Sequence, residues 1–258
     1  MRGILRMLEH DFRNFFRYKW WLVGLISMNL ADLFISALVY NTILKANITS
    51  QIGSYFNFFA PGLAVTGLFA SAFMIGREVN MERRREVHHY MLSLPMTRME
   101  LAVGRVLSGG LRGMMYMSPL LLTCFIFVGF PTVAQLSLIL AVLFMLAVGI
   151  SGLSISIAVS TSSLEKFITA RGAVYYILFF CSTVFYPLSV IKTASPALAV
   201  IAQINPLSGA SDMIRSILLP TLQIAQAFSY YSIIYIAIFS AIFTFTAAFA
   251  YMKILERK

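Results

Sequence analysis

Glu78, Glu82 and Glu86 stand four residues apart, with Arg77, Arg83, Arg84 and Arg85 among them and His88 and His89 just beyond. Acids at that spacing share one helix face and repel by roughly a few tenths of a kcal/mol per pair. Arg85, three residues from Glu82, and the flanking Arg77 and Arg83 are expected to offset the repulsion. Ion pairing or docking is the chemistry open to such a stripe. The two histidines lack partner ligands for a metal and are expected to face water. Asp32 is a second acid in a telling place, inside an apolar run with Asn29, Ser36 and Tyr40 on the same helix side. Acids at membrane depth are usually paired and functional; a structural hydrogen bond to a neighbouring helix is the other reading. An intramembrane enzyme would need further convergent groups, and Asp32 alone does not suffice. Cys124 and Cys181 both fall in apolar segments and read as small packing residues, not as a disulfide or metal pair.

The elements that must position these residues follow from composition. The 258 residues are 59% hydrophobic with a mean hydropathy of +0.82, and include 22 Phe and 14 Met. Soluble domains carry roughly 45–50% apolar residues, so one aqueous core cannot hide this surface and lipid must be the main solvent. The net charge of +10 does not point to nucleic acid, because the basic residues sit between apolar runs rather than on a soluble scaffold. An anionic membrane surface is the better partner for them.

Runs of about 20 apolar residues, enough to cross a bilayer core, occur at 20–44, 56–76, 113–130, 135–160, 173–191 and 228–252. The expected fold class is therefore all-α integral membrane, with six transmembrane helices in a single domain spanning 1–258. No cleavable signal is expected, since the first apolar run is too long for a signal h-region. With the N-terminus inside, only Lys45, Lys192 and Arg215 fall outside, which leaves 17 of the 20 Lys and Arg on the inner side. By the positive-inside rule both termini and the 77–112 loop are cytoplasmic. Residues 1–19 place Ile4, Leu5, Leu8, Phe12, Phe15 and Phe16 on one helix face and Arg2, Arg6, Arg13 and Arg17 elsewhere. That pattern describes an interfacial amphipathic helix with its arginines near lipid phosphates.

Within 77–112, Leu94 precedes Pro95 and is pushed out of the helical region, and Thr97 with Glu100 forms a capping box. A charged helix, a break, a short capped helix over 98–107 and then the third span are expected. Met91, Leu92, Leu94 and Met96 have no lipid to face. In 192–227, Ser195 and Pro196 start one short helix, Pro206 breaks it, and a second runs from Ser208 to Leu219, with Asp212 and Arg215 able to pair. Neither is long enough to span; both suit a re-entrant pair dipping into the outer leaflet. Gly149, Gly152, Ser156 and Ser160 mark a close-packing stripe, either a helix contact or a cavity lining.

The order of Glu78, Glu82 and "MLSLPMTRMELAVGR" resembles the cytoplasmic loop of ABC-2 type transporter permeases. The stretch "YPLSVIKTASPALAVIAQINPLSGASDMIRSILLP", with Asn205, Pro206, Leu207 and Arg215, resembles that family's short helices before the last span. Glu86-Val87 stands where the family often has Gly-Thr. The resemblance implies a prokaryotic inner-membrane exporter subunit. Two permease copies, identical or not, would form the path and a pair of cytoplasmic ABC ATPase subunits would drive it. It makes the loop a coupling helix, with Glu78, Glu82, Met91, Leu92, Leu94, Pro95, Thr97, Arg98 and Glu100 as ATPase-coupling residues. It places Pro187, Asn205, Pro206 and Arg215 at an outer gate; Asn29, Asp32, Ser36 and Tyr40 on the first span and Tyr176 and Phe180 on the fifth are the residues expected along a transport path. No G-x-x-x-x-G-K-[ST] phosphate loop occurs in the chain, so ATP and Mg belong to the partner and no cofactor is expected here. The aromatic-rich fifth span (Tyr175, Tyr176, Phe179, Phe180, Phe185, Tyr186) leans towards an amphipathic or lipid-like cargo, with a glycan, peptide or ion as alternatives. A non-ABC assembly or regulatory membrane protein is the competing class.

Overall fold

The computed structural model describes residues 4, 5, 7–9, 11, 13, 19–43, 54–85, 97–220 and 230–256. Every element among the described residues is a helix. Lipid imposes that, because a backbone without water must satisfy its own polar groups, and a helix does so within one segment.

In chain order the helices are α1 (Lys19–Ile43), α2 (Tyr55–Phe73), α3 (Ile75–Arg84), α4 (Arg98–Val128), α5 (Val133–Ser160), α6 (Leu164–Phe180), α7 (Leu188–Ala194), α8 (Pro196–Ile204), α9 (Pro206–Leu218) and α10 (Tyr230–Glu256). The described residues before Lys19 are helical as well. Only Met74 separates α2 from α3, and it keeps helical dihedrals (φ −69°, ψ −22°), so the two form one rod with a charged end. Among the described residues, four helices are long and apolar enough to cross a membrane: Tyr55–Arg84, Arg98–Val128, Val133–Ser160 and Tyr231–Lys253. α1, at 25 residues, begins and ends one residue from the first expected span.

α2 is the axis. Phe58, Val65, Leu68, Phe69 and Phe73 are fully enclosed, with α1, α4, α5 and α9 packed around them. α10 lies outermost, against α5, and exposes Ile234, Ile238, Ile242, Phe245 and Phe249. In lipid, helices are held by close fit more than by transfer out of water. The stripe on α5 shows that fit: a Cβ on Gly149 would sit 2.6 Å from Ser240 Oγ, and one on Gly152 2.5 Å from the Phe243 carbonyl oxygen. Ser240 donates to the Met145 carbonyl oxygen at 2.8 Å. The stripe is thus a helix contact with α10, and not a cavity lining.

Three expected boundaries change. The capping box at Thr97 and Glu100 is formed, but the helix it opens runs unbroken for 31 residues instead of stopping before a third span at 113. Gly109, Gly110 and Gly113 do not break it because each presses on a neighbour. A Cβ would lie 2.2 Å from Ser151 Oγ, 2.8 Å from Val148 Cγ2 and 3.0 Å from Ala72 Cβ respectively. The fifth span is not one helix over 173–191. α6 starts nine residues earlier and ends at Phe180, a break covers 181–186, and α7 follows. Pro187 keeps its predecessor out of the helical region. Asn205 Nδ2 takes two of the carbonyls left free at the end of α6, those of Leu178 (2.8 Å) and Cys181 (2.9 Å). The second short helix starts at Pro206, not Ser208, because Asn205 Oδ1 accepts from Leu207 N and Pro206 serves as the first helical residue.

Candidate functional site

Residues 86–96 link α3 to α4, and at this loop end of the bundle three segments meet around two arginines. α4 places Arg105 and Arg112 two turns apart on one face, opposite Glu82 and Glu78 of α3. Arg105 Nη1 donates to Asp11 Oδ1 at 2.8 Å and Oδ2 at 2.9 Å, and its Nη2 reaches Glu82 Oε1. Ser108 Oγ also donates to Asp11 Oδ2. Arg112 Nη1 pairs with Glu78, and its Nη2 lies 3.5 Å from the Asp11 carbonyl oxygen. Asp11 and Arg105 are buried, while Glu78 keeps 40% of its side chain exposed. Beneath them Met7, Ile75, Val79, Leu101, Val106 and Tyr251 form an apolar floor. Low dielectric strengthens such pairs, and leaving one member alone would be costly.

The acid stripe is therefore relieved across helices. Arg105 and Arg112 hold Glu82 and Glu78, whereas Arg83, one of the flanking residues expected to do so, has other partners. Arg83 Nη1 donates to the Val159 and Thr161 carbonyl oxygens at 3.0 and 3.3 Å, closing the end of α5, and Arg84 bonds Asn80 at 3.1 Å. The N-terminal segment also meets the protein. Met7 and Asp11 face the protein and Gly104 of α4 lies against Met7, while Leu5 is exposed. Among the other expected coupling residues, Thr97, Arg98 and Glu100 open α4 with exposed or half-exposed side chains. Met91, Leu92, Leu94 and Pro95 lie outside the described residues.

At the far end a third arginine is enclosed. Arg215 of α9 donates from Nε to the Phe58 carbonyl oxygen (2.9 Å) and from Nη1 to the Thr183 carbonyl oxygen (2.9 Å) and Asp212 Oδ1 (2.7 Å). Its Nη2 donates to the Val184 carbonyl oxygen (3.0 Å). Its guanidinium carbon stands 3.8 Å from the centre of the Phe58 ring. Asp212 accepts from Thr183 Oγ1 at 2.9 Å, and Thr183 N donates to Ser208 Oγ at 2.9 Å. The break at 181–186 is tolerated because Arg215 and Asn205 satisfy its carbonyls. The expected Asp212–Arg215 pair forms. Pro187, Asn205 and Pro206 are buried as well.

The path residues divide. Asn29 Nδ2 donates to Tyr116 Oη at 2.7 Å and so faces α4. Asp32 is exposed and accepts from Ser36 of its own helix at 3.1 Å. The Tyr40 side chain lies outside the described residues. Tyr176 and Phe180 stack at 5.8 Å on the exposed face of α6. A separate open hollow of about 510 Å3, lined by Met117, Leu121, Phe125, Phe130 and Leu136, lies beside α4 and α5 and is almost wholly apolar.

A family model described as ABC-2 type transporter matches residues 3–219. The chain belongs to that family. No curated protein matches it. The match starts before Asp11 and ends after Arg215, so it takes in both arginine centres. An ABC-2 membrane domain is the permease component of its transporter, not the ATPase, and works with ATPase partners. In this ABC-2 permease, reading the sequence did not single out Asp11, Arg105, Ser108 or Arg112. A signal was present: Arg105 and Arg112 repeat at seven on one helix face, matching acids four apart on the helix before it. Nothing in the spacing marks Asp11, which lies 94 residues from Arg105.

Proposed function

We propose that the chain is the membrane subunit of an ATP-driven exporter. Two copies pair with two cytoplasmic ABC ATPase subunits and move an amphipathic or lipid-like substrate outwards. In this reading the chain crosses a prokaryotic inner membrane six times with both termini inside. Met91, Leu92, Leu94 and Pro95, with Thr97, Arg98 and Glu100, dock on the ATPase. Glu78 and Glu82 pass that movement through Arg112 and Arg105 to α4 and the N-terminal helix. ATP and Mg are held by the partner. Pro187, Asn205, Pro206 and Arg215 frame the outer exit.

The observation that carries the two-copy path is Asp32. Its carboxylate is exposed midway along an apolar helix, with Ser36 as its bond partner, and lipid is a poor neighbour for it. A second copy facing α1 and the exposed Tyr176 and Phe180 of α6 would enclose a lane lined by Asp32 and Ser36. A lane of mixed aromatic and polar character suits an amphiphile better than a bare ion.

Co-purification from native membranes tests the reading. A Walker-motif ATPase should accompany the permease, and charged residues in place of Leu92 and Leu94 should remove it without unfolding the bundle. Stable purification with no ATPase, or full retention by the double variant, would overturn it. Asp32→Asn should lower transport at unchanged yield; an unchanged transport rate would take Asp32 out of the path.

A further inference from the structure

Arg171, two turns into α6, differs from the other enclosed arginines. Its Nη2 meets the Met74 sulfur at 3.1 Å and its guanidinium lies 5.7 Å from the Phe73 ring centre. Its Nε is buried with no hydrogen-bond partner, as are those of Arg105 and Arg112, so the difference lies at the other guanidinium nitrogens. Thioether sulfur is a weak acceptor. Among the described residues no carboxylate pairs with it, and the nearby cation is Arg77 of α3, one turn beyond the Met74 that Arg171 contacts, its backbone N–H donating to the Met74 carbonyl oxygen at 3.0 Å. Arg105, Arg112 and Arg215 each have a carboxylate within bonding distance. A half-buried guanidinium beside another cation lacks an anion, and a phosphate or carboxylate fits its planar fork in two-point fashion.

Aromatic rings continue from that point. Tyr175 stacks on Phe69 at 4.9 Å and on Phe179 at 5.4 Å, and Phe179 meets Phe185 edge-on at 4.8 Å. Tyr175, Phe179 and Phe185 keep part of their surface open. Charge at one end and an apolar strip leading away make an amphiphile-shaped surface.

We propose that Arg171 and Arg77 bind the anionic headgroup of an amphiphile whose apolar body lies along Tyr175, Phe179 and Phe185. As cargo recognition this rests on the exporter reading; the binding itself needs no ATPase, so the two fail separately. The purified full-length permease is exchanged into mixed phosphatidylglycerol and phosphatidylcholine micelles, and the lipids it retains are counted by native mass spectrometry. Wild type should enrich phosphatidylglycerol, and Arg171→Gln should cut that enrichment about tenfold, as loss of a charge-assisted bond implies. Arg171→Lys should keep part of it. Lys166→Gln, on the same helix with the same charge change, should keep all of it. Should Arg171→Gln not fold, Arg77→Gln at an exposed position reads the same loss. Equal enrichment in wild type and the arginine variants would overturn the site. Equal loss in Lys166→Gln would reduce it to general surface charge. Displacement of the lipid by millimolar inorganic phosphate would reassign it to a free anion and overturn the amphiphile.

Discussion

At the loop end, Arg105 and Arg112 are held by side-chain carboxylates from two other segments; at the far end, Arg215 is held mostly by main-chain carbonyls. The same residue type thus does two jobs. Carboxylates sit on flexible stems, so their pairs can lengthen, exchange or re-form. Carbonyls of a fixed break cannot. One centre joins separate helices through their side chains, and the other makes an irregular backbone permissible where water is scarce.

Removing Arg215 therefore has the largest expected effect. Arg215→Met leaves the Phe58, Thr183 and Val184 carbonyls and the Asp212 carboxylate without their donor, which should cost about 3–5 kcal/mol. Thermal unfolding of the purified protein reads it, and a loss below about 1 kcal/mol would break the claim that this centre holds the backbone. Adding Asp212→Asn should not restore stability, because the three carbonyls remain.

Arg105→Met should cost about 3 kcal/mol by stranding Asp11 and Glu82. Here neutralising the partners should help. Asp11→Asn with Glu82→Gln in the same chain should recover at least half the loss, since the uncompensated charges have gone. Recovery at the loop end and none at the far end is the signature of the difference; equal behaviour would erase it.

Gly62→Ala sharpens the far end from another side. The added Cβ would lie 2.9 Å from Val184 Cγ1 and 3.1 Å from both the Val184 oxygen and Arg215 Nη2. Overpacking of this kind costs about 1–3 kcal/mol. Gly24→Ala, with nothing within 4 Å, should be neutral or gain up to about 1 kcal/mol in helix propensity. Matched unfolding curves of the two variants decide it.

The apolar runs made most of the bundle legible, because lipid leaves a helix as the default and length alone marks a span. α1 came within a residue at each end for that reason. α6 did not, because its break is stabilised by Asn205 and Arg215 from distant sequence, and hydropathy carries no record of carbonyls being satisfied. The capping box at Thr97 was readable because it is local. The unbroken course of α4 was not, since three glycines look like a break until Ser151, Val148 and Ala72 are seen against them. Glu78 and Glu82 stood out by spacing, yet their partners required knowing that α3 and α4 lie side by side. Asp11 was silent for the same reason at longer range.

The smallest expected loss of stability is at Glu78, and it tests the comparison most directly. Its side chain is 40% exposed, against 22% for Glu82 and 2% for Asp11, so solvent screens its pair with Arg112. Glu78→Gln keeps the size and a hydrogen bond but removes the charge, which should cost less than about 1 kcal/mol. In a chain of this length that is a fall of about 2–4 °C at most in melting temperature. If the loop-end pairs carry movement between α3 and α4, transport per ATP hydrolysed should nonetheless fall severalfold, since Arg112 would lose its hold on α3. The permease–ATPase complex in proteoliposomes, assayed for hydrolysis and transport together, separates the two quantities. A large drop in melting temperature with intact coupling would make the loop end a static brace like Arg215, and the two centres would then differ in partner chemistry but not in role.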